Sequence, residues 1–460
     1  MTTRRVTGAL FRSAVPGLAF PAVPNRAGAE LLSLLFQLEQ TQYFPETLLR
    51  ARQLRQLAEL VSHAAHTSAF YQGRLRAAGV VDSLDWDRFT AIPLLTRREL
   101  LTQAEHIHAS SVPSAHGAWH EVQTSGSTGQ VVAVRRTDLS DLFWLALSMR
   151  DHLWHARDFR KTLAVIRANA SSSEGQPARD WGPPVSLLHE SGPCHVMPLS
   201  TDVAELSRWL LAKNPSYLLT YPTCLAALLD CFEREGQRPA QLEEVRTIGE
   251  TLPPALRARA QALLGARVCD AYSAQELGSI ALECPESGLY HVQSESLVVE
   301  VLDAQGRACA PGQVGRVVVT DLHNFATPLI RYELRDYAEV GPACPCGRGL
   351  PTLSRVLGRE RNMVHLPDGS RHWPLVGLHH FREVAEILQY QLVQHTLQDV
   401  EMRLVTRAPL STAAEQKLRE IVQHALGHPF SLRFSYSQEE LPVSAGGKFE
   451  EFVSKLTGNG

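Results

Sequence analysis

The sequence predicts an α/β protein. We expect a large N-terminal domain of helix-covered, mainly parallel sheets with a small antiparallel β subdomain, followed by a small mobile α+β C-terminal domain. Short apolar runs alternate with amphipathic helical patterns through the middle of the chain, which is typical of strand–helix–strand units. β-type runs then follow one another after about residue 289, and both patterns mix again beyond a break at Gly358.

The first part of the chain carries helical apolar spacing after a poorly specified lead-in over residues 1–28. A second helical segment covers 139–154. This spacing puts the apolar side chains on one helix face, which predicts helices packed against a core. The apolar residues that recur at the helical period are Leu31, Leu32, Leu35, Leu38, Leu54, Leu57, Leu60 and Val61.

The middle of the chain alternates strand and helix patterns. Parallel neighbours need a crossover, usually a helix, so this alternation predicts a mainly parallel sheet. Strands are predicted at 162–166, 217–220, 245–248 and 266–268, and helices at 203–213, 222–235 and 254–264.

The pattern of the C-terminal part predicts a β-rich subdomain over about 285–357, which completes an N-terminal domain of residues 1–357. Leu297–Leu302 and Gly315–Thr320 read as antiparallel strands. The remaining residues, 358–460, predict the mobile α+β domain. Its helices are expected around 376–387 and 412–426, and its strands near 389–394, 400–406 and 431–436.

Composition narrows the class of protein. The 460 residues allow two to four compact units, with 44% hydrophobic residues, 20% charged residues and a net charge of −3. Neither sign dominates, so we expect no nucleic-acid or membrane partner. No apolar run reaches the ~20 residues of a membrane span, and the N-terminus lacks a secretory pattern. Eight cysteines are too sparse for a disulfide scaffold, and a cytoplasmic location is expected.

A loop of small polar residues between two β-type runs is a candidate phosphate site. Glycines let backbone N–H groups approach an anion, and Ser and Thr add hydroxyl donors. The lysine of a Walker A loop is absent, and a plain surface turn is the alternative. The loop consists of Thr124, Ser125, Gly126, Ser127, Thr128 and Gly129, followed by Gln130.

Three later segments carry further candidate residues. Asp270–Glu276 follows the strand predicted at 266–268 and places Tyr272 and Glu276 beyond a strand end, where ligands of open α/β sheets bind. Asp336 ends an antiparallel segment, and Lys448 is flanked by glycines near the C-terminus. Taken alone, Tyr272 could be a core aromatic, and Asp336 could belong to a surface ion pair. Glu276 and Lys448 could be solvated charges.

The ordered set resembles the adenylate-forming (acyl-CoA synthetase) superfamily, in its phenylacetate–CoA ligase-like and capsule-biosynthesis-like branch. The resemblance covers about residues 45–455, and the ordered set is more specific than any single motif. The branch motifs are Ile92–Thr96, Thr247–Leu252, Ile330–Tyr332, Cys344–Arg348 and Gly358–Arg359.

The resemblance implies a role for each candidate residue. The loop 124–129 would hold the phosphates of ATP, and Glu276 with Thr128 would hold Mg²⁺. Tyr272 would stack on adenine, Asp336 would bind the ribose and Arg359 would contact ribose or phosphate. Lys448 would bridge the acid and the α-phosphate. Residues implied at the acyl pocket are Tyr221, Gly249, Ser273 and Ala274, with Gly249 and Glu250 also near the nucleotide.

A second set of residues has metal-ligand chemistry. Cys284 and His291 form a Cys-x₆-His pair, and Cys344 and Cys346 a distant Cys-x-Cys pair. Three thiolates and one imidazole predict a closed, structural zinc site. The alternative is a set of reduced cysteines in a β-rich core with a surface histidine.

The implied reaction is ATP-dependent activation of a carboxylic acid, aryl or arylacetic, to an acyl-adenylate with release of pyrophosphate, then transfer to coenzyme A. Arg361 and Asn362 replace two acidic residues that ligases of the branch carry, and segment 366–374 is unlike their glycine-rich stretch. An amine or hydroxyl acceptor is therefore an alternative. A non-catalytic nucleotide or acyl-adenylate binding protein is another, and a homodimer stays open.

Overall fold

A computed structural model describes residues 10–123, 132–168, 180–359, 363–372, 381, 384–437, 441 and 450–456. The chain forms two compact units. Among the described residues, the larger unit holds 10–123, 132–334 and 338–356, and the smaller holds 335–337 and the residues from Leu357 onward.

Among the described residues, six α-helices open the larger unit. Asn25 caps the first by accepting a hydrogen bond from the Gly28 amide, and Thr96 and Glu99 form a reciprocal capping box on the fifth. These helices are α1 (Arg26–Thr41), α2 (Glu46–Thr67), α3 (Ala69–Ala77), α4 (Trp86–Ala91), α5 (Arg97–Thr102) and α6 (Ala104–Ile107).

A two-stranded antiparallel hairpin follows, and its strands are the base of the loop 124–131, which lies outside the described residues. The hairpin is β1 (Trp119–Gln123) and β2 (Ala133–Thr137), with Glu121 opposite Arg135. Helix α7 (Asp138–Trp154) starts directly after β2, where the Thr137 hydroxyl accepts the Ser140 amide.

The predicted strand–helix alternation is present and forms the parallel part of a large sheet. Strands of this part pair in the order β4-β3-β5-β6-β7, all parallel. Its elements are β3 (Leu163–Arg167), α8 (Val185–Leu188), β4 (Cys194–Pro198), α9 (Val203–Lys213), β5 (Tyr217–Thr220), α10 (Pro222–Glu235), β6 (Glu244–Ile248), α11 (Pro254–Leu264) and β7 (Arg267–Ala274).

The antiparallel strands continue the same sheet rather than forming a separate one. The full order is β10-β11-β12-β13-β9-β8-β7-β6-β5-β3-β4, so the fold class predicted from the sequence is confirmed with its two sheet types joined at β7 and β8. The further strands are β8 (Gly278–Glu283), β9 (Tyr290–Val292), β10 (Leu297–Leu302), β11 (Val314–Asp321), β12 (Tyr332–Val340) and β13 (Thr352–Arg359).

The smaller unit is an α+β arrangement with its own core around Leu392, Met402 and Leu418. The predicted end of the helix around 376–387 is wrong, because strand β16 begins at Ile387. Residues 373–380 and 382–383 lie outside the described part. The elements are β14 (Val364–His365), β15 (Arg371–His372), β16 (Ile387–Gln394), β17 (Asp399–Thr406), α12 (Thr412–Leu426), β18 (Ser431–Ser437) and β19 (Phe452–Ser454), with sheet order β18-β17-β16-β19.

A buried ion cluster joins α7 to the parallel strands. The Arg157 guanidinium donates to Asp151 Oδ2 at 2.6 Å and to Glu244 Oε1 at 2.5 Å. Arg246 Nε lies 3.1 Å from Asp151 Oδ2. Arg157, Asp151 and Glu244 are buried, and Arg246 is partly exposed. Charges this deep stabilise the fold only while they stay paired.

We expect Arg157→Ala to destabilise the larger unit by about 3–5 kcal/mol, because two buried carboxylates lose the guanidinium that they share. Arg160→Ala is the control: its ion pair with Asp158 is exposed on the arginine side, and such pairs contribute about 0–1 kcal/mol. Urea unfolding followed by circular dichroism measures both. Equal losses in the two variants would contradict a special contribution of the buried cluster.

Candidate active site

The end of β7 and the turn that follows it carry four of the predicted site residues. The prediction that Tyr272 follows the end of its strand is wrong: β7 continues to Ala274, because Ala271 and Tyr272 pair with β8. A register shift between Tyr272 and Ser273 re-aims the side chains at this end of the strand. Tyr272 is 7% exposed and packs in the main core, while Ser273 and Ala274 are half-buried.

Glu276 lies in the turn itself and is only 6% exposed. The hydroxyl of Tyr332, the first residue of β12, donates to Glu276 Oε1 at 3.4 Å. A buried carboxylate needs donors or a cation to offset its lost hydration. Tyr332 belongs to a motif noted in the sequence, but the sequence predicted no contact for it, since 56 residues separate it from Glu276.

Arg136 on β2 connects the hairpin to this turn. Its side chain is buried, donates to the Ser140 carbonyl at 3.2 Å and lies 3.0 Å from Asp141 Oδ1. A further N–H reaches the Gln275 carbonyl at 3.5 Å, and the guanidinium stacks over Trp144 at 4.4 Å. Arg136 was not singled out from the sequence. The signal that could have identified it is an arginine within a β-type run, where a buried charge needs partners.

Asp336 and Arg359 lie together in the smaller unit, with Asp336 Oδ1 3.7 Å from Arg359 Nε. The prediction that Asp336 ends an antiparallel segment is wrong, because β12 continues to Val340. Arg335, just before it, has a φ of +63°, which is unusual for a residue with a side chain. The local turn of the backbone therefore sets the direction of the Asp336 carboxylate.

The Glu250 carboxylate accepts hydrogen bonds at the start of helix α10. Its carboxylate accepts the Thr223 amide at 3.0 Å and the Thr223 hydroxyl at 2.9 Å. A carboxylate at a helix N-terminus is stabilised by the helix dipole. Gly249 turns the chain with a φ of +77°, and the half-buried Tyr221 directly precedes α10.

The remaining predicted nucleotide residues fall outside the described part of the chain. These are Lys448 and the loop residues Thr124, Ser125, Gly126, Ser127, Thr128 and Gly129.

The four predicted metal ligands come together. The ligand atoms of Cys284, His291, Cys344 and Cys346 all lie within 4.8 Å of one another. Cys284 Sγ and Cys344 Sγ are 3.8 Å apart, and Cys346 Sγ is 3.3 Å from His291 Nε2. A tetrahedral zinc with Zn–S of about 2.3 Å needs sulfur–sulfur edges of about 3.8 Å, so the donor set fits this ion.

The second ring nitrogen of His291 is also held in place. Nδ1 lies 3.3 Å from the Leu350 carbonyl, so a proton on Nδ1 leaves the Nε2 lone pair facing the thiols. Burial opposes ionisation of the Cys284 thiol, but hydrogen bonds from Ser287 and from the main chain at Glu286 act to lower its pKa and favour the thiolate.

The chain has relatives among named enzymes, although no protein-family model matches it. The phenylacetate-coenzyme A ligase of Thermus thermophilus is 25% identical over 411 residues, which cover 84% of this chain and 86% of that protein. The ligase of the same name from Aromatoleum evansii is 30% identical over 178 residues, covering 37% of this chain and 40% of that one.

Solved structures share the fold. A 2-hydroxyisobutyryl-CoA ligase in its postadenylation state, in complex with 2-HIB-AMP, matches with a TM-score of 0.69 and 20% identity, covering 90% of this chain and 91% of that one. The anthranilate CoA ligase AuaEII in complex with anthranoyl-AMP matches with a TM-score of 0.53 and 14% identity, covering 74% and 67%. At these identities the likeness concerns the fold alone.

Fold and sequence relatives together place the chain in the adenylate-forming (acyl-CoA synthetase) superfamily, the class of AMP-forming acid ligases. The resemblance predicted from the motifs is thereby confirmed. Within that class the chain is related to the phenylacetate–CoA ligases. Among the helices that the structure describes, none combines the length and apolarity that a membrane crossing requires.

The buried His323 makes the folding stability depend on pH. His323 stacks on Phe143 with ring centroids 3.7 Å apart, and its Nδ1 is buried with no hydrogen-bond partner among the described residues. Burial, together with the nearby His116, lowers the pKa of His323 to about 3. The unfolded chain, with a histidine pKa of about 6.5, therefore binds the proton first as the pH falls, and stability is lost below pH 6.5.

His323→Phe keeps the stacked ring and removes this titration. Between pH 7 and pH 5 we expect the free energy of unfolding to fall by about 2 kcal/mol less in the variant than in the wild type. Urea titrations of both proteins at the two pH values measure the difference. The same fall in both proteins would mean that His323 takes up its proton in the folded chain.

Proposed function

We propose that the chain uses ATP to activate a carboxylic acid, forms an acyl-adenylate with release of pyrophosphate, and transfers the acyl group to coenzyme A. The observation that carries this proposal is the buried Glu276 at the β7–β8 turn, beside the hairpin that bears the Ser/Thr/Gly-rich loop. Mg²⁺ prefers carboxylate oxygens and accompanies nucleotide phosphates. The names of the relatives, phenylacetate-coenzyme A ligases, support the same chemistry.

The chain's residues divide this work. The loop 124–129 donates backbone N–H groups and hydroxyls to the phosphates of ATP. Glu276 with Thr128 holds Mg²⁺, which when bound offsets the phosphate charge. Asp336, paired with Arg359, accepts the ribose hydroxyls, as the two oxygens of a carboxylate allow. Tyr272 faces adenine with the small part of its surface that the core leaves open.

Lys448 supplies the cation at the reacting centre. In the displacement at the α-phosphorus, a carboxylate oxygen of the acid attacks and pyrophosphate leaves with the electrons of the broken bond. Negative charge grows on the phosphoryl oxygens, and a positioned ammonium lowers the barrier by stabilising it.

The acid we propose is aryl or arylacetic. The support is the name of the relatives and the position of Tyr221, Gly249, Ser273 and Ala274 at the carboxyl ends of β5, β6 and β7. Ligands of open α/β sheets bind at such ends. Glu250, next to Gly249, has its carboxylate turned to Thr223 at the start of α10.

One feature of the sequence favours an acceptor other than coenzyme A. Arg361 and Asn362, outside the described residues, stand where ligases of the branch carry acidic residues. The following segment contains the short β14–β15 hairpin, which turns at Gly369 with a φ of +84°. An amine or hydroxyl compound is the alternative acceptor, and a non-catalytic nucleotide-binding protein is the alternative of another class. Cytoplasmic location and a homodimer stay predictions.

We also propose that Cys284, His291, Cys344 and Cys346 hold a structural zinc ion. The set supplies three thiolates and one imidazole, and the distances between their ligand atoms suit a tetrahedral ion. All four positions are taken by protein atoms, so such an ion fastens the loop 344–346 to strand β9 without taking part in the reaction.

The zinc proposal predicts about one zinc ion per chain by elemental analysis. Cys344→Ser should lose the ion and lower the melting temperature by several degrees, because metal binding is coupled to folding. Cys309→Ser, a thiol outside the cluster, is the matched control and should keep both. A metal-free protein whose melting temperature is unaffected by chelators and by Cys344→Ser would contradict the proposal.

The reaction itself is tested by pyrophosphate release from ATP with a panel of aryl, arylacetic and alkyl acids, with and without coenzyme A. We expect release with an aryl or arylacetic acid, and a loss of about 10²-fold or more in kcat in Lys448→Ala. Lys455→Ala is the control lysine in the same unit.

The products separate the alternatives. Thioester formed with coenzyme A supports the proposal, and hydroxamate trapped from hydroxylamine without any thioester favours an amine or hydroxyl acceptor. ATP binding without pyrophosphate release for any acid favours the non-catalytic protein.

A further inference from the structure

The loop after β11, residues 321–329, holds the outer edge of the β1–β2 hairpin with two side chains. The Arg135 amide donates to Thr327 Oγ1 at 2.9 Å, and Asn324 Nδ2 donates to the Arg135 carbonyl at 3.0 Å. Asn324 and Thr327 are completely buried. Side chains thus take the place of a third strand at this edge, since a strand neighbour would make the same pair of bonds.

Both side chains are themselves fixed by their surroundings. Asn324 Oδ1 accepts the amides of Ala326 at 3.2 Å and Thr327 at 3.3 Å. The Thr327 hydroxyl lies 2.8 Å from His108 Nδ1. Asn324 therefore uses its oxygen within the loop and its nitrogen on the hairpin, a division of labour that an aspartate cannot reproduce.

The hairpin depends on such support. It forms a sheet of two strands, and no other described strand pairs with it. Two-stranded hairpins are only marginally stable by themselves. The Arg136 side chain fixes one side of β2 to the turn before Glu276, while Asn324 and Thr327 fix the main chain at the neighbouring residue, Arg135.

We propose that Asn324 and Thr327 are positioning residues for nucleotide triphosphate binding. They hold β2 at Arg135, and the guanidinium of the next residue, Arg136, contacts the turn that carries the Glu276 carboxylate. The inference rests on the proposed function, because it takes Glu276 to be the carboxylate that acts on the phosphates of ATP through Mg²⁺. Neither residue contacts the reacting atoms; each acts through the backbone of Arg135.

Two variants break the contact with little change in shape. Asn324→Asp keeps an oxygen for the loop amides but turns an acceptor toward the Arg135 carbonyl. Thr327→Val removes the hydroxyl, and Thr327→Ser restores it. Thr352→Val is the matched control, because the Thr352 hydroxyl is also buried but bonds the Pro342 carbonyl, far along the chain from the hairpin.

In pyrophosphate-release kinetics we expect Asn324→Asp and Thr327→Val to raise the KM for ATP about tenfold, because each variant loses one buried hydrogen bond to the hairpin. The KM for the acid should stay within about twofold of the wild type. Thr327→Ser should restore the ATP value. Thr352→Val should lower the melting temperature without changing either KM.

Hydrogen exchange tests the clamp without turnover. Peptides covering 133–137 should exchange faster in Asn324→Asp and Thr327→Val but not in Thr352→Val. Unchanged exchange, or an ATP KM that moves no more than in the control, overturns the inference. Absence of pyrophosphate release by the wild type with every acid is a failure of the proposed function instead, and titration calorimetry with ATP then replaces the kinetic comparison.

Discussion

The buried guanidinium of Arg331 fixes the framework on which the candidate site stands. It pairs with Glu300 on β10 at 2.9 Å and donates to the Ile92 carbonyl at 2.6 Å and to the Thr90 carbonyl. The Leu95 amide donates to the carbonyl of Arg331 itself at 2.9 Å. A charge this deep is stable only when paired and fully hydrogen-bonded, so the N-terminal helices, β10 and the start of β12 are held to one another.

That constraint explains two sequence motifs together. Ile92–Thr96 and Ile330–Tyr332 are far apart in the chain, yet Leu95 lies beside Tyr332 as a parallel bridge. Arg331 adopts a φ of +50°, a strained value for a non-glycine residue that the surrounding bonds maintain. The next side chain, Tyr332, thereby enters the core and reaches Glu276. The two motifs are therefore parts of one support beneath the Glu276 carboxylate.

The place of Glu276 follows from the sheet. Strand β7 is the last parallel strand and pairs with β8 in the antiparallel sense, so the chain must reverse tightly there. Gly278 in this reversal has a φ of +79° and lies against Trp144 of α7. The carboxyl end of a parallel strand, where ligands bind, thus becomes a turn that can hold a carboxylate inward. The hairpin β1–β2 meets the same turn through Arg136.

The sequence by itself determined the elements that local chemistry sets. The bounds of α9 and α10 agree with the predicted ones to the residue, because Asp202 caps one helix, and Pro222 and the left-handed Gly236 mark the ends of the other. The tertiary structure decided what depends on distant partners. The extension of β7 to Ala274 requires pairing with β8, and the engagement of Glu250 requires Thr223.

The same division holds for the site. The chemical types of the proposed nucleotide residues and of the four proposed metal ligands were readable from their order in the chain. The contacts of Tyr332, Arg136 and Asn324 were not, because Asn324 meets its hydrogen-bond partner across 189 residues. Local propensity fixes where helices and strands lie; only packing brings together buried polar groups that must find partners once water is excluded.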